Sequence, residues 1–115
     1  MNHSGWCYMM SNRRHGTLYI GVTSDLQGRA YGHRTGLTEG FTKRYGLTRL
    51  VWHERHPNIV LAIRREKALK RYPRQWKIDL VEALNPEWDD LYGVAYETDS
   101  PYIPHSSTPA RADYL

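Results

Sequence analysis

"GTLYIGVTSDLQGRAYGH", residues 16–33, changes its period part-way along. Over Thr17–Val22 the side chains alternate. Leu18, Ile20 and Val22 make one face, and Thr17, Tyr19 and Gly21 the other, as in a half-buried strand. Thr23-Ser24-Asp25 then offers helix N-caps, and a helix is expected over Leu26–Arg34. Gly28 and Gly32 weaken it by about 1 kcal/mol each relative to Ala. Its i, i+3, i+4, i+7 stripe is Leu26, Arg29, Ala30 and His33, which sets two basic side chains where a docking face is normally apolar.

Working outward, "WCYMM" at 6–10 reads as a strand with Trp6, Tyr8 and Met10 on one face. With the turn-like "SNRRHG" at 11–16 it completes a β-hairpin. The Gly- and Thr-rich segment 35–45 reads as a loop, and "TRLVWHE" at 48–54 as a third strand. After Pro57-Asn58 a helix is expected over 59–71. Pro73 opens another over 73–84, with Trp76, Leu80, Ala83 and Leu84 as its apolar stripe. Asn85-Pro86 stops it. The division expected is a folded body, 1–96, and an acidic Pro/Ser/Thr-rich tail, 97–115.

The charges divide in the same way. Residues 1–86 carry fifteen Lys/Arg against six Asp/Glu, whereas residues 87–115 carry one Arg against six acids. A basic body with interleaved aromatics suits a phosphate backbone, and a solvated face is the plain alternative. No apolar run approaches the length of a membrane span. The start lacks a signal-peptide pattern, and the single cysteine, Cys7, forms no internal disulfide. A cytoplasmic, reducing setting is expected.

The 59–71 helix repeats the anomaly of the first. Its stripe is Ile59, Ala62, Ile63, Glu66 and Leu69, with one carboxylate among apolar residues. Burying an unpaired charge costs several kcal/mol, so such a residue needs a partner or an open cleft. Two readings stand: a buried Arg29–Glu66 salt bridge, or one polar pocket where both stripes meet the sheet, with Tyr8 and Tyr19 supplying phenols. The set suits phosphodiester chemistry. One carboxylate suits a single Mg²⁺ completed by water and phosphate oxygens, an arginine suits phosphate, and a tyrosine or histidine can move a proton.

Among the other candidates, His53-Glu54-Arg55-His56 lacks metal-ligand spacing and reads as a solvated strand end. Cys7 reads as a small buried hydrophobe, and Trp52, Trp76 and Trp88 as core or core-rim residues. Lys43 and Arg44, between Phe41 and Tyr45, and the stripe Lys67, Lys70, Arg71, Arg74 and Lys77 are the expected nucleic-acid contacts.

"LYIGVTSDLQGRAYGH", "GFTKRYGLTRLVWHE", "AIRREKALKRYPRQWK" and "LNPEWDDL" together resemble the small, single-domain members of the GIY-YIG endonuclease superfamily, over about residues 6–91. The second half-motif is met by Tyr19-Ile20-Gly21. The first, at Trp6-Cys7-Tyr8, keeps the tyrosine alone. The resemblance implies an α+β fold, a small three-stranded antiparallel sheet flanked by helices. It also implies metal-dependent cleavage of DNA, with RNA left open, in a setting such as DNA repair. It carries catalytic roles onto Tyr8, Tyr19, Arg29, His33 and Glu66, with Glu66 holding one Mg²⁺ or Mn²⁺. Tyr8 is then the expected base and Tyr19 the phosphate-orienting hydroxyl. A further family asparagine has Lys77 at the nearest position here, with Asn85 beyond it. A binding module of the same fold without turnover is the alternative, and an interaction domain working through the acidic tail a weaker third. No second domain supplies sequence specificity, so structure-selective or weakly selective cutting is expected. Monomer and homodimer are both open.

Overall fold

The computed structural model describes residues 4–36 and 40–93, so the tail lies outside the described residues. The elements are β1 (Gly5–Ser11), β2 (Leu18–Thr23), α1 (Leu26–Thr35), α2 (Phe41–Arg44), β3 (Arg49–His56), α3 (Ile59–Lys70) and α4 (Arg74–Leu84). The strands form one antiparallel sheet in the order β2-β1-β3, so the fold is α+β as expected. The first strand therefore lies in the middle, and its seven residues are all buried.

Strand alternation sorts the core into two layers. Trp6, Tyr8 and Met10 pack on one face with Leu26 and Ala30 of α1 and with Leu47 and Leu50. Cys7, Met9 and Ile20 pack on the other with Leu69 of α3, Leu80 and Val81 of α4, and Trp88. Met9 pairs with Trp52 and Met10 with Leu50, which leaves Val51 as an extra residue on β3. That bulge turns both Val51 and Trp52 toward the α3–α4 layer. Gly5 allows α3 to lie close on β1: a Cβ there would stand 2.7 Å from the Ile59 Cα.

The helix caps follow the sequence. Asp25 accepts from the Gly28 N–H at 3.0 Å to start α1, and Asn58 accepts from the Leu61 N–H at 3.0 Å to start α3. Gly36, at φ 76°, closes α1 in the left-handed conformation.

Three expectations are corrected. The 35–45 loop contains the short helix α2. The inner face of α4 is Leu80 and Val81, while Trp76 is 55% exposed, with Ala83 and Leu84 also outside. The strand end at His53-Glu54 is not solvated. Both residues are buried, and Glu54 accepts from the Arg65 Nε at 2.9 Å and pairs with His56. Burial pushes the Glu54 carboxyl upward, but His56 and Arg65 together outweigh it and hold it below the usual range. Among the described residues, no helix is long and apolar enough to cross a membrane.

Candidate active site

The site begins at the centre of the sheet. Tyr8 faces Gly21 across the β1–β2 ladder. With no Cβ at Gly21, the Tyr8 ring lies flat over it: a Cβ would stand 2.4 Å from the Tyr8 Oη and 2.5 Å from its Cζ. The third position of the Tyr19-Ile20-Gly21 motif is therefore a seat for the phenol of the first strand. Tyr19, on the same face, brings its ring to 6.3 Å from that of Tyr8.

Helix α1 closes this face. Leu26 and Ala30 dock on it, and the same stripe carries His33 inward. The His33 Nε2 lies 3.0 Å from the Tyr8 Oη, and its Nδ1 lies 2.8 Å from the Thr42 Oγ1 of α2. The Tyr19 and His33 rings are 5.7 Å apart and inclined at 60°, edge to face. Tyr8 and His33 are 1% and 3% exposed, whereas Tyr19 is half-buried. Arg29 is exposed at the mouth, where its positive charge acts on the Tyr8 phenol.

Burial sets the protonation states. It lowers His33 to about 4, helped by the positive Arg29, so the imidazole is neutral at pH 7. It raises Tyr8 above the usual tyrosine range, helped by Tyr19 and opposed by Arg29. A neutral imidazole has one N–H. That N–H serves one of the Tyr8 and Thr42 hydroxyls, and the bare ring nitrogen accepts from the other. Thr42 was invisible in the sequence, because a threonine in a polar loop carries no signal of its own.

Glu66 approaches from the other side. It is half-buried on α3, which packs against β1 and β2 on the Cys7 face, and its Oε2 lies 2.5 Å from the Lys70 Nζ. The expected single pocket under both helices is therefore not formed, because α1 and α3 cover opposite faces of a one-layer sheet. The alternative Arg29–Glu66 bridge is not formed either. The two helices border the same edge strand, however: α1 follows β2 directly, and α3 lies against it.

The expected nucleic-acid contacts divide likewise. Lys43 and Arg44 are exposed beside Thr42 on the α1 side, with Arg44 over the Tyr45 ring. Lys67, Lys70, Arg71 and Arg74 are exposed on the α3–α4 side, and Lys77 is half-buried there. Asn85 is fully engaged in the fold. Its amide donates to the Val51 and Asp89 carbonyls and accepts from the Asp89 N–H, tying the end of α4 to β3. Cys7 is buried, and desolvation, then the negative Glu54, pushes its thiol up to about 12.

The GIY-YIG catalytic domain model matches residues 4–79, which include both tyrosines, α1 and Glu66. The chain belongs to the GIY-YIG family. It is also similar to a UPF0213 protein of Xanthomonas axonopodis pv. citri, 33% identical over 70 residues, covering 61% of this chain and 69% of that protein. A UPF0213 protein of Staphylococcus epidermidis is 31% identical over 67 residues, covering 58% of this chain and 82% of that protein. Those names state no activity. No solved structure matches the chain. The GIY-YIG domain implies nuclease-type activity acting on nucleic acid.

Proposed function

We propose that this GIY-YIG protein is a metal-dependent DNA endonuclease with structure-selective or weakly sequence-selective cutting, working in a reducing cytoplasm. The buried Tyr8–His33–Thr42 chain, capped by Tyr19 and Arg29, carries the reading. A structural core has no need of a desolvated imidazole between two hydroxyls with a guanidinium at its mouth, because such networks are costly unless fully satisfied.

A phosphodiester fits at the β2 edge. There Arg29 is exposed to meet the negative charge that grows on the phosphoryl oxygens. Tyr8 is sealed and held protonated, so its place is behind the reacting atoms. It and His33 position the Tyr19 phenol, which is half-open to water and takes the role of orienting and deprotonating the nucleophile. This exchanges the parts expected of the two tyrosines. The burial of Tyr8 is the reason.

Glu66 is the residue to hold a metal. One carboxylate, half-buried, is what a Mg²⁺ ligated mainly by water and phosphate oxygens asks of a protein, and Lys70 must release it. When bound, the ion supplies Lewis-acid charge at the scissile phosphate. No group of three or more His, Cys, Asp or Glu side chains that could cage an ion occurs among the described residues.

A second reading, a nucleic-acid-binding module without turnover, draws on one observation: Glu66 is held by Lys70 across the sheet from His33. A cleavage panel of single-stranded, duplex, flapped and branched DNAs and of RNA, with Mg²⁺ or Mn²⁺, separates the two. Cleavage by the wild type that is lost in Glu66→Gln and Tyr19→Phe supports the nuclease. Equal cleavage by wild type and Glu66→Gln refutes the metal assignment. Salt-sensitive binding without cutting by any form favours the module.

A further inference from the structure

The chain has four tryptophans. Trp6, Trp52 and Trp88 are buried at 4%, 2% and 0% exposure, while Trp76 stands 55% exposed on α4. An indole in water forfeits a large apolar burial, and this one is not loosely held. Tyr72 meets it edge to face at 5.2 Å. The Tyr72 hydroxyl accepts from the Arg65 Nη1 at 3.4 Å, and the Arg65 Nε donates to the buried Glu54. An ion pair in the core thus braces the ring that braces the indole.

The surroundings are cationic. Arg64 and Lys67 of α3 and Arg71 at its C-cap are exposed at i, i+3, i+7 spacing, and Tyr72, whose ring meets Trp76, follows Arg71 directly. Lys77 follows Trp76 directly. The three acids of α3 and α4 are each engaged: Glu66 by Lys70, Asp79 by Gln75, and Glu82 by His15 and Trp88. Arg64, Lys67, Arg71 and Lys77 have no ion-pair partner among the described residues.

We propose that Trp76, braced by Tyr72, is a stacking platform for an unpaired base of single-stranded DNA whose phosphates lie along Arg64, Lys67 and Arg71. A rigid aromatic face beside unengaged cations is the combination that binds single strands without reading sequence. A duplex keeps its base faces stacked against one another, so it offers such a surface phosphates alone. The inference deepens the nuclease reading by naming a single-stranded arm as part of the substrate, and it is tested by binding without cleavage.

The full chain in EDTA is titrated with 12-nucleotide oligo-dT, oligo-U and a blunt duplex, following tryptophan emission and anisotropy of labelled strands. Because the other three indoles are buried, quenching reports on Trp76. Oligo-dT quenches it. Trp76→Ala weakens oligo-dT binding about 5- to 150-fold, the range expected for one stacked base, and Trp76→Phe restores most of it. Arg71→Gln lowers the slope of log affinity against log salt by about 0.7. Melting temperatures of the variants near wild type tie these losses to the surface. The platform is refuted if Trp76→Ala binds oligo-dT as wild type does, or if the duplex quenches equally. Tighter binding of oligo-U overturns the DNA assignment. Trp76 emission that shifts with protein concentration alone overturns it in favour of a second copy of the chain. Cleavage that persists while Trp76→Ala binds normally removes the platform and leaves the nuclease. Failure to bind any strand removes both.

Discussion

Gly21→Ala tests the seat of Tyr8. A Cβ at position 21 would lie 2.4 Å from the Tyr8 Oη and 2.5 Å from its Cζ, about 1 Å inside ordinary contact. The ring has little room to yield, because it is fully buried and hydrogen-bonded to His33 at 3.0 Å. Shifting it by that amount breaks the bond, at about 1 kcal/mol net, and overpacks the layer, at about 1–3 kcal/mol. Alanine returns roughly 0.5–1 kcal/mol through its lower chain entropy in a strand. The net loss is roughly 1–3 kcal/mol, which in a domain of this size lowers the melting temperature by roughly 5–20 °C. The assay is a double-mutant cycle by thermal unfolding. In a Tyr8→Phe background the Oη contact and the His33 tether are both gone, so the alanine penalty falls by about 1 kcal/mol or more. An alanine variant that melts like wild type refutes the close seat. An equal penalty in both backgrounds refutes the part given to the His33 tether.

Further predictions follow from the same core. His33 is held near 4 against an ordinary 6.5, so between those values the unfolded chain takes up a proton that the native state refuses. Stability is full above about pH 6.5 and falls as the pH drops toward 4. The loss reaches at most about 3 kcal/mol at about 1.4 kcal/mol per unit, and His33→Gln flattens urea-melt stabilities between pH 7 and 4.5 relative to wild type. Thr42→Val leaves the buried His33 Nδ1 without its hydrogen-bond partner and costs about 1–3 kcal/mol, whereas Thr42→Ser stays near wild type. Imidazole ¹⁵N shifts should report a neutral ring at pH 7, and a doubly protonated ring there would refute the effect of burial on His33. Cys7, buried and pushed up to about 12, should resist alkylation at pH 8 in the native state and react once urea unfolds the chain.

The sequence by itself determined the three strands, the helices α1, α3 and α4, and the inward Leu26, Ala30 and His33 of α1, whose stripe neighbour Arg29 the structure leaves exposed. Period-2 and period-3.6 patterns are local, and caps such as Asp25 and Asn58 are written in single residues. It also made Arg29, His33 and Glu66 legible, because a polar residue in an apolar stripe is an anomaly in any fold. The same patterning misplaces Trp76. Its spacing fits a stripe, but which stripe of α4 meets the sheet depends on how the helix rolls on β3, and packing placed Leu80 and Val81 inside.

Only the tertiary structure decided which groups meet. Thr42 reaches His33 through a four-residue helix with no periodic signal, and Glu54 finds Arg65 across two elements. The layering also set Glu66 on the face opposite His33. A helical stripe shows that a residue points toward the sheet. Which side of the sheet the helix covers is fixed by the chain's crossings, and those are set by long-range packing.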